Sequence, residues 1–378
     1  MQIDLNSGIM LVGVVQGLFL ALTLAVQKQG PRLANFFLIG LLLSFVLALL
    51  VHWLTLSDAW EAHPHLYLLG SPVIFLFGPM LYFYVRQLSN PSALLRPVHL
   101  THLLPYLLNL AAFLPLFMLE PDALVDRLIQ APTTTGRVAL LPMLKLLAVT
   151  TYTVMALGIL RHHHRRITAF YANIEAINLR WLKTLTFAFL SLETFLIIVL
   201  VSGADLSQLP GRADTALAAF IVLLIFLTGF KGMHQPALFR GVDTDLFTAL
   251  GATVRPVKKV VRSEMGADEI ARLDARLEQL FREEQIHLDP ILDMRKLAHK
   301  ARVTTHKLSH YLNEHQGHSF YDYVNSHRLA HAKVQLLGSD DAILDIAYAS
   351  GFNNKATFNK AFKKETGLTP SEFRLKNQ

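Results

Sequence analysis

The sequence predicts an all-α protein in two parts: a seven-helix transmembrane bundle, then a C-terminal domain of two helix-turn-helix subdomains joined by a connecting helix. Three observations carry that expectation. Seven long apolar runs precede residue 232, a helix-turn-helix pattern recurs after residue 290, and apolar and basic residues are segregated along the chain. Of 378 residues, 52% are hydrophobic and only 17% charged, with a mean hydropathy of +0.37. Soluble domains carry about a quarter charged residues, so a purely cytosolic enzyme is a poor match. The formal charge of +7 points to phosphate-bearing partners, either nucleic acid or anionic lipid. Cysteine is absent, which excludes disulfides, zinc–thiolate sites, iron–sulfur clusters and cysteine nucleophiles.

The apolar runs are Ile9–Val26, Asn35–Thr55, Leu66–Val85, Leu100–Leu119, Val138–Leu160, Leu182–Val201 and Thr215–Phe230. Most approach the roughly 20 residues that span a hydrocarbon core of about 30 Å. The first follows Asp4 rather than a basic segment and ends without a small-residue cleavage pattern, so it is read as a retained span. One alternating set of connections, with the exit from the seventh run, holds Lys28, Arg32, Arg86, Arg96, Arg161, Arg165, Arg166, Arg180, Lys183 and Lys231 against the single acid Glu175. The opposite set is mainly acidic: Asp4, Asp58, Glu61, Glu120, Asp122, Asp126, Asp205 and Asp214, with Arg127, Arg137 and Arg212. Basic loops stay in the cytoplasm, so the N-terminus is expected outside and the C-terminus inside. The domain expectation is 1–231 for the membrane part, 232–266 for a cytoplasmic linker and 267–378 for the C-terminal domain.

Lys145 and Glu193 are the two charges well inside the runs. Charges at such depth pair, face a cavity or carry function, which suggests an ion pair between adjacent spans, either beside a ligand cavity or as a structural tie. The run Arg161-His-His-His-Arg-Arg166 invites a metal reading. Consecutive helical residues do not face one site, however, and a basic anchor at the cytoplasmic interface suits it better. His63 and His65 have weakly specific metal spacing, so neither a metal nor a cofactor is expected.

Beyond the runs, Pro236, Gly241, Gly251, Pro256 and Gly266 punctuate a mixed stretch whose Lys258-Lys259 and Arg262 read as solvated. Ala267–Gln285 reads as an amphipathic helix with Ile270, Leu273, Leu277, Leu280 and Phe281 on one stripe, suited to its own domain or to a partner helix. A repeat then follows. Leu297 and Ala298 match Ile346 and Ala347; Val303 matches Phe352; Leu308 and Leu312 match Phe358 and Phe362. Each copy encodes a short helix with a small residue at the crossing, a tight turn, and a second helix with an inward apolar pair. Thr304 or Thr305 and Asn353 or Asn354 suit the N-caps of the second helices. Gly351 supplies a positive φ in the second turn, and Arg302 stands in the equivalent place of the first. Ser319–Leu337 connects the copies, with Phe320, Val324, Ala332 and Leu336 inward. Gly367 stops a helix, and Thr369-Pro370-Ser371-Glu372 forms a capping box that starts another.

The stretch from Ser319 through Arg328, then Asp345-Ile-Ala, Gly351-Phe352, Phe358, Ala361-Phe-Lys-Lys-Glu-Thr-Gly367 and Thr369-Pro-Ser-Glu-Phe-Arg374, resembles the AraC/XylS-type DNA-binding domain. The apolar part looks, more loosely, like the seven-span sensor halves fused to some of these regulators. The resemblance implies a bacterial transcription regulator whose two recognition helices enter successive major grooves. Residues 290–378 hold thirteen lysines and arginines against eight acids, a bias towards phosphate. By position in the motif, His306, Lys307, Ser309 and His310 face DNA from the first recognition helix, and Lys355, Ala356, Thr357 and Lys360 from the second. Lys363 and Lys364 suit backbone phosphates better than bases. His306 and His310 replace the longer donors common in the family, and Arg328 matches a position read as bracing the connecting helix.

The expected function is therefore a membrane-bound, sequence-specific transcriptional regulator in the bacterial inner membrane, with its DNA-binding domain in the cytoplasm. Expected partners are double-stranded promoter DNA, the lipid bilayer, a small-molecule or lipid-like signal, a second copy of the chain and, for an activator, RNA polymerase. A receptor or transporter-like protein whose cytoplasmic domain binds protein is the competing reading. An intramembrane enzyme finds no support, because the spans hold no G-x-S-x-G or H-E-x-x-H pattern.

Overall fold

A computed structural model describes residues 5–27, 31–56, 59–91, 93–130, 140–175, 177–202, 213–233 and 265–377. Lys28, Asp4, Asp58, Arg137, Asp205, Arg212 and the Lys258-Lys259/Arg262 cluster lie outside the described residues, as does most of the expected linker. The chain is helical and divides into two compact units, 1–161 with 179–254, and 162–178 with 255–378.

In the first unit the helices are α1 (Leu5–Val26), α2 (Arg32–Leu56), α3 (Pro64–Ser89), α4 (Leu104–Phe117), α5 (Pro121–Ile129), α6 (Leu140–Phe170), α7 (Arg180–Ser202) and α8 (Ala213–Met233). Six described helices are long and apolar enough to cross a membrane, and the seventh expected run appears as a shorter apolar helix over Ala218–Met233. The fourth run departs from a single helix: it opens as a 3-10 segment, Pro97–Leu103, and becomes α-helical only from Leu104. Helix α5 was not anticipated, although Pro121 at its first turn is a suitable start. Helices α1, α2 and α8 pack closely through glycines. A Cβ on Gly13 would fall 2.4 Å from Val222, and one on Gly229 would fall 2.4 Å from Leu20. Small residues at such crossings permit the backbone approach that holds apolar helices together.

Helix α6 runs ten residues beyond the expected end at Leu160, because Arg161–Phe170 contains no glycine or proline to stop it. The Arg161–Arg166 run is thus ordinary helix with two characters: His162 and His164 are exposed, while His163 is buried with Nε2 2.9 Å from the Ile177 carbonyl. Residues 162–178, read from the sequence as a cytoplasmic loop of the membrane part, belong to the second unit. Ala172, Ile174 and Ile177 are buried there, an apolar pattern masked in the sequence by the flanking bases.

The second unit contains α9 (Ala267–Arg282), α10 (Met294–Lys300), α11 (Thr305–His310), α12 (Phe320–Gly338), α13 (Ile343–Ala349), α14 (Lys355–Thr366) and α15 (Pro370–Asn377). It has two apolar cores. Leu273, Leu277, Leu280 and Phe281 of α9 join Leu297, Leu308, Leu312, Phe320 and Val324 in one, so the amphipathic stripe packs on its own domain. Leu329, Ala332, Leu336, Ile346, Phe352, Phe358 and Phe362 form the other. Helix α12 feeds its first half into one core and its second half into the other. Each fully buried large side chain of these cores contributes about 1.5–3 kcal/mol before chain entropy is set against it.

Candidate nucleic-acid interface

Both helix-turn-helix units fold as the repeat requires. Helices α10 and α11 form the first unit, and α13 and α14 the second. Thr304 Oγ1 accepts from the Lys307 amide at 3.2 Å, and Asn354 Oδ1 accepts from the Thr357 amide at 2.8 Å, so these two residues start the recognition helices. The first turn puts Arg302 at φ +58°, and the second puts Gly351 at φ +83°. The repeat therefore imposes a left-handed residue in both turns, and the first unit adopts it without glycine. At the end of the chain the Thr369 amide donates to Glu372 Oε2 at 2.7 Å and the Glu372 amide to Thr369 Oγ1 at 3.3 Å, the reciprocal capping box. The Glu372 carboxyl is held below its ordinary pKa by the Thr369 amide.

The recognition helices present their side chains differently. On α14, Lys355, Ala356, Lys360 and Lys363 are exposed, and Thr357 is half-buried beside its cap. Lys364 is also exposed, with Nζ 3.7 Å from Asp322 at the start of α12. Asn359 lies on the face of Lys355, Ala356, Lys360 and Lys363 by helical spacing but is half-buried, and its Oδ1 is buried with no hydrogen-bond partner among the described residues. Motif position alone did not single it out; an amide next to Lys360 on a basic face was the available signal. On α11, His306 is exposed, whereas Ser309 and His310 are half-buried. Lys307 Nζ lies 2.5 Å from Glu269 of α9, so that expected DNA contact is held by an acid from outside the repeat. Tyr311 donates to Asp274 on the same helix. Its hydroxyl is pushed up to about 12 by burial and by that carboxylate.

Arg328 occupies the point where α12 passes from one core to the other. It is 0% exposed. Nε donates to the His287 carbonyl at 2.6 Å, Nη2 to the Asp289 carbonyl at 2.8 Å, and Nη1 to Asn173 Oδ1 at 3.0 Å. A buried guanidinium needs its donors satisfied, and here backbone oxygens and an amide do so. The bracing role expected for Arg328 is thus realised as a junction lock. Burial still lowers its pKa to about 10, which leaves it charged at neutral pH. Gly351 packs against the same junction: a Cβ there would lie 2.8 Å from the His287 carbonyl oxygen and 2.9 Å from Arg328 Nε.

Lys145 and Glu193 are both buried, on α6 and α7 respectively. Glu193 Oε1 accepts from Thr153 Oγ1 at 3.1 Å, a hydroxyl about two turns along α6 from Lys145. His65 Nε2 lies 3.1 Å from the Leu119 carbonyl, and among the described residues no group of three or more His, Cys, Asp or Glu is placed to hold a metal.

Comparison with known proteins agrees with this geometry. Residues 297–376 match the helix-turn-helix domain family. An HTH-type transcriptional activator RhaS from Mannheimia succiniciproducens is 33% identical over 97 residues, which is 26% of this chain and 36% of the relative. An HTH-type transcriptional activator RhaR from Yersinia pseudotuberculosis is 34% identical over 90 residues, 24% of this chain and 31% of the relative. The chain spans about a third of the length of these curated relatives. A solved structure of a protein of unknown function from Listeria innocua is 27% identical over 28% of this chain and 97% of its own, with a TM-score of 0.25, too low to bear on the fold. The C-terminal domain of this chain is an AraC-type helix-turn-helix domain.

Proposed function

We propose that the chain is a membrane-embedded regulator of transcription, binding promoter DNA through α11 and α14 in response to a signal received by its apolar part. The observation that supports this most is a pair of helix-turn-helix units, with exposed lysines on α14, in one chain whose described residues include six helices long and apolar enough to cross a membrane. His306, Lys307, Ser309 and His310 are its contacts in one half-site; Lys355, Ala356, Thr357 and Lys360 read the other, with Lys363 and Lys364 on phosphate. The expected orientation keeps the N-terminus outside and the DNA-binding domain in the cytoplasm of a bacterial inner membrane. Lys145 and Glu193 are the candidate sensing charges within the spans, and a small-molecule or lipid-like compound is the ligand class that an apolar bundle suits.

Full-length protein in lipid nanodiscs, presented with a random duplex pool, tests the reading. Recovery of a shared sequence is expected, with affinity falling as salt rises by a log–log slope of about −0.9 per phosphate contacted. Recovery of no sequence, together with binding indifferent to salt, would favour a cytoplasmic domain that binds protein instead.

A further inference from the structure

The segment between α6 and α7 has a role that neither the repeat nor the comparisons supply. Asn173 sits within the second unit at the junction between the two apolar cores. Its Oδ1 accepts from Arg328 Nη1 at 3.0 Å, and its Nδ2 donates to the carbonyls of Pro290 and, at 3.3 Å, Gly351. One side chain therefore touches the strand of chain leading into the first helix-turn-helix, the helix joining the two units, and the turn of the second. Its neighbours reinforce the placement. Ala172 is fully buried in the first core, and its carbonyl accepts from Asn325 Nδ2 at 3.3 Å. Tyr171 pairs with Asp293 as an isolated antiparallel bridge.

We propose that Asn173 is a positioning residue and that 171–175 is a strap setting the angle between the two recognition helices. The strap is continuous in sequence with α6 and α7, both long enough to cross a membrane, so a shift of either helix is delivered to the junction by the covalent chain. Withdrawal of Asn173 removes an acceptor from the buried Arg328 guanidinium and a donor from the Gly351 carbonyl, loosening the junction between the two units. Two half-sites on a duplex are read together only when the recognition helices are held about one helical turn, some 34 Å, apart. A loose junction thus weakens two-site binding while leaving each unit able to bind alone. This inference rests on the reading of the domain as a two-site DNA binder.

The experiment uses full-length protein in nanodiscs and a duplex recovered from a random pool by the wild type, alongside the same duplex with one half-site scrambled or with one base pair inserted between halves. Asn173→Ala is expected to lower affinity for the intact duplex by about tenfold and to flatten the penalty for the insertion, while single-half affinity stays within about twofold. A second arm adds Tyr171→Cys and Asp293→Cys to the Asn173→Ala chain. Paired antiparallel positions lie within disulfide reach, and the chain has no other cysteine. Oxidation is expected to restore the spacing penalty and reduction to abolish it; Asp293 Oδ1 caps α10 by accepting from the Lys296 amide at 2.7 Å, and both forms carry the same loss of that cap, so their difference reports the strap. A spacing penalty unchanged by Asn173→Ala, or identical in oxidised and reduced chains, overturns the strap while leaving the DNA-binding reading intact. If the wild type selects no duplex at all, the DNA-binding reading falls and the strap with it.

Discussion

The two helix-turn-helix units share a pattern but are supported in different ways. The first has a short recognition helix, Thr305–His310, continuing into a π-turn, and is flanked by α9, whose Glu269 and Asp274 hold Lys307 and Tyr311. The second has a recognition helix twice that length, Lys355–Thr366, with lysines on an exposed face. Its turn leans on the Arg328 junction through Gly351, whereas the equivalent Arg302 of the first is exposed. A repeat thus fixes the fold of each unit but not the contacts that hold it. The first is restrained by a helix outside the repeat, and the second by a missing side chain at a crowded crossing.

The largest effect that would sharpen this contrast is Gly351→Ala. The new Cβ meets two carbonyl oxygens, of His287 and Leu288, at 2.8 and 2.9 Å, at a backbone φ of +83°. Backbone oxygens do not swing aside as a flexible side chain does, and a left-handed non-glycine residue itself costs about 1–2 kcal/mol. Together the loss should reach about 3 kcal/mol, read as faster hydrogen exchange of α13 and α14 amides than of α10 and α11 amides in the full-length protein. Equal acceleration in both units would break the distinction between them.

A pH effect of similar size tests the junction from the side of the first unit. The His287 ring is buried against Phe281, at 5.6 Å between centroids, and faces His327, His331 and Arg328. Burial first, and those neighbouring groups second, lower its pKa to about 4. The folded chain therefore binds fewer protons than the unfolded one between about pH 4 and 6.5. Stability is fully present above pH 6.5 and is lost as pH falls towards 4, by roughly 3 kcal/mol. His327 and His331 are also lowered by burial and act in the same direction. His287→Phe keeps a ring beside Phe281 and removes the titration, so the slope of stability between pH 7 and 5 should shrink by more than half. A slope unchanged by the substitution would place the titration elsewhere.

How far the sequence reached can be judged on the same residues. The recognition-helix caps to within one residue, the reciprocal Thr369–Glu372 box, the inward residues of α12 and the stripe of α9 were legible, because each depends on neighbours within four or five positions; the structure selects Thr304 over Thr305 and Asn354 over Asn353. What escaped depends on contacts far along the chain. Asn173 meets Arg328 across 155 positions, and Lys307 meets Glu269 across 38; no periodicity encodes either meeting. The extension of α6 past Leu160 escaped for another reason: hydropathy marks where the apolar stretch ends, not where the helix does.

The difference in side-chain presentation predicts unequal shares of DNA affinity. Lys360→Ala removes an exposed charge that has no ion-pair partner among the described residues and should weaken binding about tenfold at low salt. Lys307→Ala should cost less than threefold, since Glu269 already competes for that ammonium, and Glu269→Ala should raise affinity by a similar small factor. Titration of a labelled duplex at two salt concentrations measures all three, and a Lys307 loss equal to that of Lys360 would erase the asymmetry.

The smallest effect isolates the backbone from everything else. Arg302 is exposed, holds φ at +58°, and occupies the place that Gly351 fills in the second unit. Glycine there would relieve a left-handed side chain worth about 1 kcal/mol but would also enlarge the freedom of the unfolded chain, which offsets part of the gain. A net stabilisation of about 0.5 kcal/mol is expected, seen as slower hydrogen exchange of the α10 and α11 amides. Arg302→Ala keeps the Cβ and the strain while removing the charge, so it should leave exchange unchanged and lower DNA affinity only if the guanidinium reaches phosphate. If glycine destabilised the first unit instead, Arg302 would be held by contacts of its own, and the two turns would be alike in conformation but not in what enforces it.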